Sequence, residues 1–174
     1  MFHTWFMTWR TYGTWLPGQD GFVGYYRQPE RIIENEYGTP STPAIPKLEE
    51  YSRSRMLGDA IELSLPQGQI ILEQIRETMS HKKWILHAVA IVITHVHVVL
   101  SVPGDPEPSE ILRILKSYTS RRLNDNFSLP HSPRWFAKGG SKRLVAGDHR
   151  EVVEYVRSQH PHLLVWVESK PPGS

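Results

Sequence analysis

The chain contains no cysteine among its 174 residues. Disulfide bonds, thiolate metal sites and a cysteine nucleophile are therefore excluded, and any metal must be held by nitrogen and oxygen ligands. The sequence also lacks an apolar run long enough to cross a bilayer, and its first residues do not have the layout of a signal peptide. We therefore expect a cytoplasmic protein that does not contact a membrane.

A strong net charge is also absent, since the 20 Lys and Arg residues and the 18 Asp and Glu residues give a net charge of +2. The charge is unevenly distributed, however. Residues 1–106 carry 9 basic and 11 acidic residues, whereas residues 107–174 carry 11 basic and 7 acidic residues. A basic C-terminal part is expected of a protein that binds a polyanion, although a solvated charged face is the commoner cause of such a pattern.

The length predicts one domain over residues 1–174. Little regular pattern is found at about 18–65, where prolines interrupt acidic and hydroxyl-bearing residues. A structureless connection of this length is unusual within a compact domain, so we expect an irregular insertion there with a short helix around 47–58.

Hydrophobic periodicity and local turn signals predict regular elements outside the insertion. In chain order they are a strand at 3–12, a helix at 66–82, strands at 84–91 and 95–102, a helix from Ser109 to about Asn126, a hairpin at 134–146 turning at Gly139-Gly140, and a last helix. Asp148 and Glu151 have the spacing of a capping box for that helix, and Pro161 is expected to end it. This order predicts an α+β domain with a small antiparallel sheet covered by helices.

The most informative pattern is His95-Val96-His97, which lies in an apolar, β-branched run. Successive side chains of a strand point to opposite faces, so both imidazoles are expected on the same face. Histidine is the commonest metal ligand, and the pair therefore predicts half of a metal site. Two structural histidines on a half-buried strand are the alternative that this pattern leaves open.

Tyr155 and Gln159 lie four residues apart on the last predicted helix, which places both on one face. A phenol is a poor nucleophile at neutral pH and needs an electrophile that a divalent cation has already polarised. The amide oxygen of Gln159 is a candidate third ligand beside His95 and His97, and this donor set suits Mg²⁺ or Mn²⁺. The alternative is a Tyr155 that pads the core and a Gln159 that is an ordinary surface residue.

Basic residues cluster in the C-terminal part at two places. Glycines allow a close backbone approach to phosphate, and neighbouring basic side chains release counterions when they bind DNA. The candidate DNA-binding residues are Arg113, Lys116 and Arg121 on the predicted helix, and Lys138, Lys142 and Arg143 around the glycine pair.

Taken in order, these patterns resemble the single-tyrosine HUH transposases, a family that comprises the small transposases of minimal insertion sequences and their REP-associated domesticated relatives. The matching motifs are His95-Val96-His97, the basic helix from Lys116-Ser117-Tyr118 to Arg121-Arg122-Leu123-Asn124, Trp135 with Gly139-Gly140-Ser141-Lys142-Arg143, and Tyr155-Val156 followed by Gln159. The opening segment from Arg10 to Gly18 is similar to a subset of bacterial members. The resemblance covers residues 3–16 and about 66–168.

The resemblance implies a ferredoxin-like α+β sheet and a DNA strand-cleaving and rejoining activity. His95, His97 and Gln159 would bind Mg²⁺ or Mn²⁺, and Tyr155 would attack a phosphate of single-stranded or hairpin DNA. The products would be a 5′-phosphotyrosine link and a free 3′-hydroxyl. It also implies a nucleoid-associated location. A homodimer is implied by some relatives and a monomer by others, so the oligomeric state stays open.

Three alternatives accompany this interpretation. One is a non-catalytic, domesticated nucleic-acid-binding module that uses the basic C-terminal part, and another is a metal-dependent phosphodiesterase with water as nucleophile. Tyr118 is a competing nucleophile, but the residue four positions further is Arg122, which is not a metal ligand. The transposase interpretation is favoured because the pair Tyr155 and Gln159 has no role in either rival function.

Overall fold

The computed structural model describes residues 1–22, 26–28, 31–33 and 43–169. Its elements in chain order are β1 (Phe2–Arg10), β2 (Tyr26–Gln28), β3 (Arg31–Ile33), α1 (Pro46–Ser54), α2 (Leu65–Lys82), β4 (Ile85–Val92), β5 (His95–Pro103), α3 (Pro108–Asn126), β6 (Ser141–Leu144), α4 (Arg150–Arg157) and β7 (Leu164–Val167). None of the helices in these ranges has the length and apolar composition needed to cross a bilayer.

Within the described residues, five strands form an antiparallel sheet in the order β6-β1-β5-β4-β7. In chain order, β1, α2, β4, β5, α3 and β6 follow the β-α-β-β-α-β order of ferredoxin-like domains, with α2 and α3 as the crossover helices. Helix α4 then leads to β7, which extends the sheet beside β4. The predicted α+β, ferredoxin-like fold is therefore confirmed.

The two faces of the sheet are covered differently because side chains alternate along each strand. Trp5, Met7 and Trp9 of β1 are buried on the face covered by α2 and α3, together with alternate apolar residues of β4 and β5. On the opposite face, Val156 of α4 packs on a smaller cluster of Ala88, Ala90 and Val99. His95 and His97 share the face that α4 covers, because they alternate with Val96 and Val98 of the main core.

Helix α2 forms where the sequence predicts it, since a capping box fixes its start. The Ser64 hydroxyl accepts a hydrogen bond from the Gln67 backbone at 3.4 Å, and the Gln67 side chain accepts one from the Ser64 backbone at 2.8 Å. Lys83 ends the helix in the left-handed conformation, and β4 follows directly. This helix and the strands after it agree with the prediction to within one residue.

The predicted insertion contains α1 and the strand pair β2 and β3, and part of it lies outside the described residues. Its C-terminal end belongs to the core rather than the periphery. Ile61 and Leu63 are buried, and their backbone N–H groups donate to Tyr12 at 2.9 Å and Ile93 at 2.7 Å. The single-domain boundary itself stays a prediction.

The ends of two helices differ from the prediction. Helix α3 begins at Pro108, before the expected cap Ser109, because proline suits the first helical position. Helix α4 is capped at His149, and Asp148 instead accepts a hydrogen bond from the Arg150 backbone at 3.0 Å. The predicted capping box is therefore wrong. So is the extension to Pro161, because α4 ends at Arg157.

The predicted hairpin at 134–146 is also wrong, because both of its arms pair with the same chain segment. Phe136 forms a bridge with Thr11, and β6 pairs with β1 between Trp5 and Thr8. Residues 137–140 therefore bulge out between these two pairings. Gly140 has φ +150°, and a Cβ atom there would lie 2.7 Å from the Thr8 carbonyl oxygen, so glycine is required for this close approach.

Candidate active site

The two imidazoles of β5 lie side by side near the start of the strand. Their ring centroids are 4.6 Å apart. Nδ1 of His97 lies 2.7 Å from the Thr8 hydroxyl, and Nδ1 of His95 lies 3.0 Å from the Thr94 hydroxyl. Because each Nδ1 is engaged by a hydroxyl, Nε2 is the nitrogen of each ring that is available to a metal.

Burial keeps both imidazoles uncharged. It lowers the pKa of His95 to about 4 and that of His97 to about 3, and the nearby Arg10 guanidinium contributes to both shifts. His97 is also disfavoured as a cation by its neighbour His95. Only a neutral imidazole has a lone pair to give a metal, so the pair is in the ligating form at neutral pH.

Gln159 brings a third donor to the same place from just beyond α4. Its backbone N–H donates to Val156 at 3.3 Å, and its side-chain Nε2 donates to the Tyr155 carbonyl at 3.1 Å. The side chain also hydrogen-bonds to His97, and this bond raises the His97 pKa against the effect of burial. This contact places the Gln159 side chain beside the imidazole pair.

The donor set is thus two neutral imidazoles and one amide oxygen. Its chemistry fits a divalent cation that accepts nitrogen and oxygen ligands and leaves positions for substrate oxygens. In the described parts of the chain, His, Asp and Glu residues form no cluster of three that could hold a metal by itself. Gln159 is therefore the candidate third donor beside the two imidazoles.

Tyr155 lies beside these donors on the exposed face of α4. Its ring centroid is 6.1 Å from that of His97 and 5.8 Å from that of Phe6, which in turn stacks on His97 at 5.5 Å. The residue is 51% exposed, so it is not core padding. Buried Val156 packs α4 against the sheet, and this contact keeps Tyr155 beside the imidazole pair of the same chain.

Tyr118, the competing nucleophile, lies on the other side of the sheet. It belongs to α3, whose buried residues pack on the main core, and the Arg121 guanidinium lies 5.7 Å from its ring. It lines a small cavity with side chains of α2, including Gln74 and Glu77. This placement separates it from His95 and His97.

Four of the candidate DNA-binding residues meet in a groove of about 530 Å³ between α3 and residues 134–142. They are Arg113, Lys116, Lys138 and Lys142, and Arg134 adds a fifth basic side chain that the sequence analysis did not single out. The remaining two lie elsewhere, Arg121 over Tyr118 and Arg143 over Phe6 at 5.2 Å.

The cations of this basic groove are not equivalent. Lys116 donates to the carbonyl oxygens of Ala137 and Gly139, both at 2.6 Å, and burial lowers its pKa to about 8. It therefore fastens the bulge onto α3. Lys142 donates to the Ser109 hydroxyl at 3.2 Å. Lys138 is exposed at the surface of the bulge.

Trp135, which belongs to the motifs that carry the family resemblance, is a core residue. It is 1% exposed, and its indole N–H donates to Asn124 at 2.8 Å. An indole that is fully enclosed has no face to offer a base.

Sequence reasoning missed the residues of β1 that support the site. Phe6, Thr8 and Arg10 alternate along the strand and therefore share a face. The alternation is visible in the sequence, but the register that sets Thr8 opposite His97 and Arg10 opposite His95 is not.

Comparison with known proteins assigns the chain to a family of transposases. The family described as "Transposase IS200 like" matches residues 66–159, which run from α2 through Gln159. Because this match covers more than half of the sequence, the chain belongs to the IS200-like transposase family. A comparison with curated protein sequences gave no match.

A solved structure of a REP-associated tyrosine transposase bound to a REP hairpin is similar in fold. The TM-score is 0.50 at 13% sequence identity, and the match covers 88% of this chain and 64% of that chain. The protein described here therefore corresponds to somewhat less than two thirds of that relative. At this identity, the likeness shows the fold alone.

Proposed function

We propose that this protein is a metal-dependent transposase that cleaves and rejoins single-stranded DNA, with Tyr155 as the nucleophile. The observation that carries the proposal is the convergence of Tyr155, His95, His97 and Gln159 on one face of the sheet. Membership of a transposase family supports the reaction class. Neither rival function, the non-catalytic binding module or the phosphodiesterase that uses water, has a role for Tyr155.

His95, His97 and Gln159 would hold Mg²⁺ or Mn²⁺. When bound, such a cation acts as a Lewis acid on a phosphate oxygen and fixes its position. The protein's own part is to keep both imidazoles neutral by burial and to orient them through the Thr8 and Thr94 hydroxyls. No water nucleophile is needed in this scheme.

Tyr155 supplies the attacking oxygen. A bond forms between its phenolic oxygen and phosphorus while the bond from phosphorus to the 3′-oxygen breaks. The phenolic proton passes to solvent and the departing 3′-oxygen takes up a proton, which gives a 5′-phosphotyrosine and a 3′-hydroxyl. One phosphoester replaces another, so a later 3′-hydroxyl can reverse the step without an external energy source.

The DNA partner we propose is a single strand or a hairpin. The basic groove supports it, because Arg113, Lys138 and Lys142 place cations along one surface where a phosphate backbone could bind. The similar solved transposase is bound to a REP hairpin. Arg121 and Arg143 lie outside the groove and stay candidates for further DNA contacts.

Covalent trapping tests this proposal. Wild-type protein and Tyr155→Phe would be incubated with Mg²⁺ or Mn²⁺ and labelled single-stranded DNA carrying hairpins from sequences that flank the gene. We expect a denaturation-resistant protein–DNA adduct with the wild type and none with Tyr155→Phe. Tyr118→Phe is the matched control and should form the adduct normally.

The other outcomes discriminate among the rival functions. An adduct that persists in Tyr155→Phe would transfer the nucleophile role to another residue. Cleavage without an adduct would indicate hydrolysis by water. Binding without cleavage of any tested DNA would favour the non-catalytic module.

A further inference from the structure

Arg10 ends β1, and neither it nor the following segment to Gly18 has a role in the function proposed above, yet this stretch is attached to the site by hydrogen bonds. The Thr94 carbonyl accepts hydrogen bonds from the Thr11 backbone at 2.9 Å, the Thr11 hydroxyl at 3.1 Å and the Thr14 hydroxyl at 3.3 Å. Thr94 directly precedes His95 and bonds to its ring. The segment is thus hydrogen-bonded to the residue that directly precedes His95.

This arrangement holds Arg10 on the site's face of the sheet. Arg10 is the cross-strand neighbour of His95, and its guanidinium lies 4.2 Å from the ring centroid of Trp15. Trp15 in turn stacks on Phe22, which is buried. Arg10 contributes to the lowered pKa of both imidazoles. Burial lowers the pKa of Arg10 itself, and Tyr155 raises it, so the guanidinium interacts with all three groups.

The charge of Arg10 is unusual in its surroundings. The residue is partly buried, and in the described ranges no carboxylate forms an ion pair with it. A partly desolvated cation without a counter-charge is unfavourable until an anion joins it. A planar guanidinium that is already stacked on an aromatic ring can bind phosphate oxygens in bidentate fashion with little further loss of freedom.

We propose that Arg10, positioned by Trp15, binds the scissile phosphate and stabilises the negative charge that develops when Tyr155 attacks it. This inference rests on the proposed function and adds a substrate-contacting residue to it. The guanidinium would bind the phosphate while His95, His97 and Gln159 hold the metal. Electrostatic stabilisation by such a fixed donor commonly accounts for a factor of about 10² to 10³ in rate.

A merely structural role for Arg10 makes the opposite prediction for metal affinity. If Arg10 only supported the imidazoles, its loss would disorder them and weaken metal binding. If it is an anion site, its charge repels the cation when DNA is absent. Its removal should then leave Mn²⁺ affinity in DNA-free protein unchanged or tighter.

The kinetic test compares Arg10→Gln, Arg10→Lys and a matched control, Arg76→Gln. Arg76 is also a guanidinium over a tryptophan, at 5.8 Å from Trp166, but on the face covered by α2. At saturating DNA, we expect Arg10→Gln to slow adduct formation by about 10² to 10³-fold. Arg10→Lys should lose less, since it keeps the charge without the planar fork. Arg76→Gln should react at the wild-type rate.

The binding test does not depend on cleavage. In a Tyr155→Phe background, Mn²⁺ affinity would be measured alone, with short oligothymidylate, and with its uncharged methylphosphonate analogue. We expect the phosphodiester strand to tighten Mn²⁺ binding more than the analogue does, and we expect Arg10→Gln to abolish that difference. The inference would be overturned if Arg10→Gln still distinguished the phosphodiester strand from its analogue, or if the protein with Arg10 intact did not. It would also be overturned if DNA-free Arg10→Gln bound Mn²⁺ more weakly than the protein with Arg10 intact.

The two tests separate the two proposals. If the Arg10-dependent difference is found but wild-type protein never forms a covalent adduct, the anion site stands and the strand-cleaving function fails. If the adduct forms and Arg10→Gln forms it at the wild-type rate, the function stands and the role of Arg10 fails.

Discussion

At the scale of single residues, threonine hydroxyls orient the candidate metal ligands. The Thr8 hydroxyl lies 2.7 Å from Nδ1 of His97, and the Thr94 hydroxyl lies 3.0 Å from Nδ1 of His95. Both hydroxyls come from positions directly beside the ligand, one across the strand pair and one along the chain. Such partners fix the ring orientation and the nitrogen that faces the metal.

Replacing Thr8 by valine tests this support. Thr8→Val keeps the branched shape and removes the hydroxyl, so we expect Mn²⁺ affinity to fall by about 10 to 100-fold. Titration with Mn²⁺ in the absence of DNA measures the change. Thr8→Ser, which retains a hydroxyl, should bind Mn²⁺ nearly as the wild type does. Equal affinity of Thr8→Val and wild type would show that the hydroxyl does not orient His97.

Single residues also show where composition misleads. Lys116 and Trp135 look like DNA-contacting residues because one is basic and the other is aromatic. In the folded chain, Lys116 donates to two carbonyl oxygens of the bulge and Trp135 is buried with its N–H bonded to Asn124. Their neighbours in space, which sequence spacing does not reveal, determine these roles.

At the scale of elements, α3 and the bulge at residues 137–140 together form the basic groove. The bulge exists because Phe136 and β6 both pair with the same neighbouring segment, and Lys116 then holds it against α3. Neither element forms the groove alone. Its cations come from two segments, one with Arg113 and Lys116 and one with Arg134, Lys138 and Lys142, that are at least 18 positions apart in sequence.

The salt dependence of DNA binding tests this groove. Lys142→Ala removes a cation whose Nζ lies 3.2 Å from the Ser109 hydroxyl at the start of α3. We expect weaker binding of single-stranded DNA and a slope of log affinity against log salt that is smaller by about 0.7. Lys47→Ala is the matched control on the exposed surface of α1 and should leave the slope unchanged. An unaltered slope in Lys142→Ala would remove Lys142 from the DNA-binding surface.

At the scale of the whole molecule, one face of the sheet carries most of the apolar core and the other carries the candidate site. The face under α2 and α3 contains the main apolar core. The opposite face is covered in part by α4, holds the imidazole pair and exposes Tyr155. Three histidines are nonetheless partly or largely buried on or near this second face, and burial lowers the pKa of His87, His95 and His97.

These histidines predict a dependence of stability on pH. In the unfolded chain they take up protons as the pH falls through about 6.5, whereas in the folded chain His95 and His97 stay neutral to about pH 4 and 3. The unfolded state then binds more protons, so their contribution is complete above pH 6.5 and is lost as the pH falls. For His97 the loss is at most about 1.4 kcal/mol per pH unit.

Denaturant unfolding of the metal-free protein at pH 7 and pH 5, with a chelator present, measures this effect. We expect a lower free energy of unfolding at pH 5. The lowered carboxyl pKa values of Glu110 and Asp148 act at more acidic pH and do not enter this window. His97→Gln should reduce the difference between the two pH values. A free energy that does not change between them would contradict the predicted burial of neutral histidines.

The sequence by itself determined most of the helices and strands and the candidate ligand residues. The apolar, β-branched run around His95 and His97 predicted β5, and apolar residues at helical spacing predicted α2, because both signals depend only on neighbouring residues. The strand register, the bulge and the end of α4 were decided by tertiary structure. They depend on which strands pair and on what α4 packs against, and those contacts join residues that are distant in sequence. Thr8 and Arg10 belong to the site for the same reason.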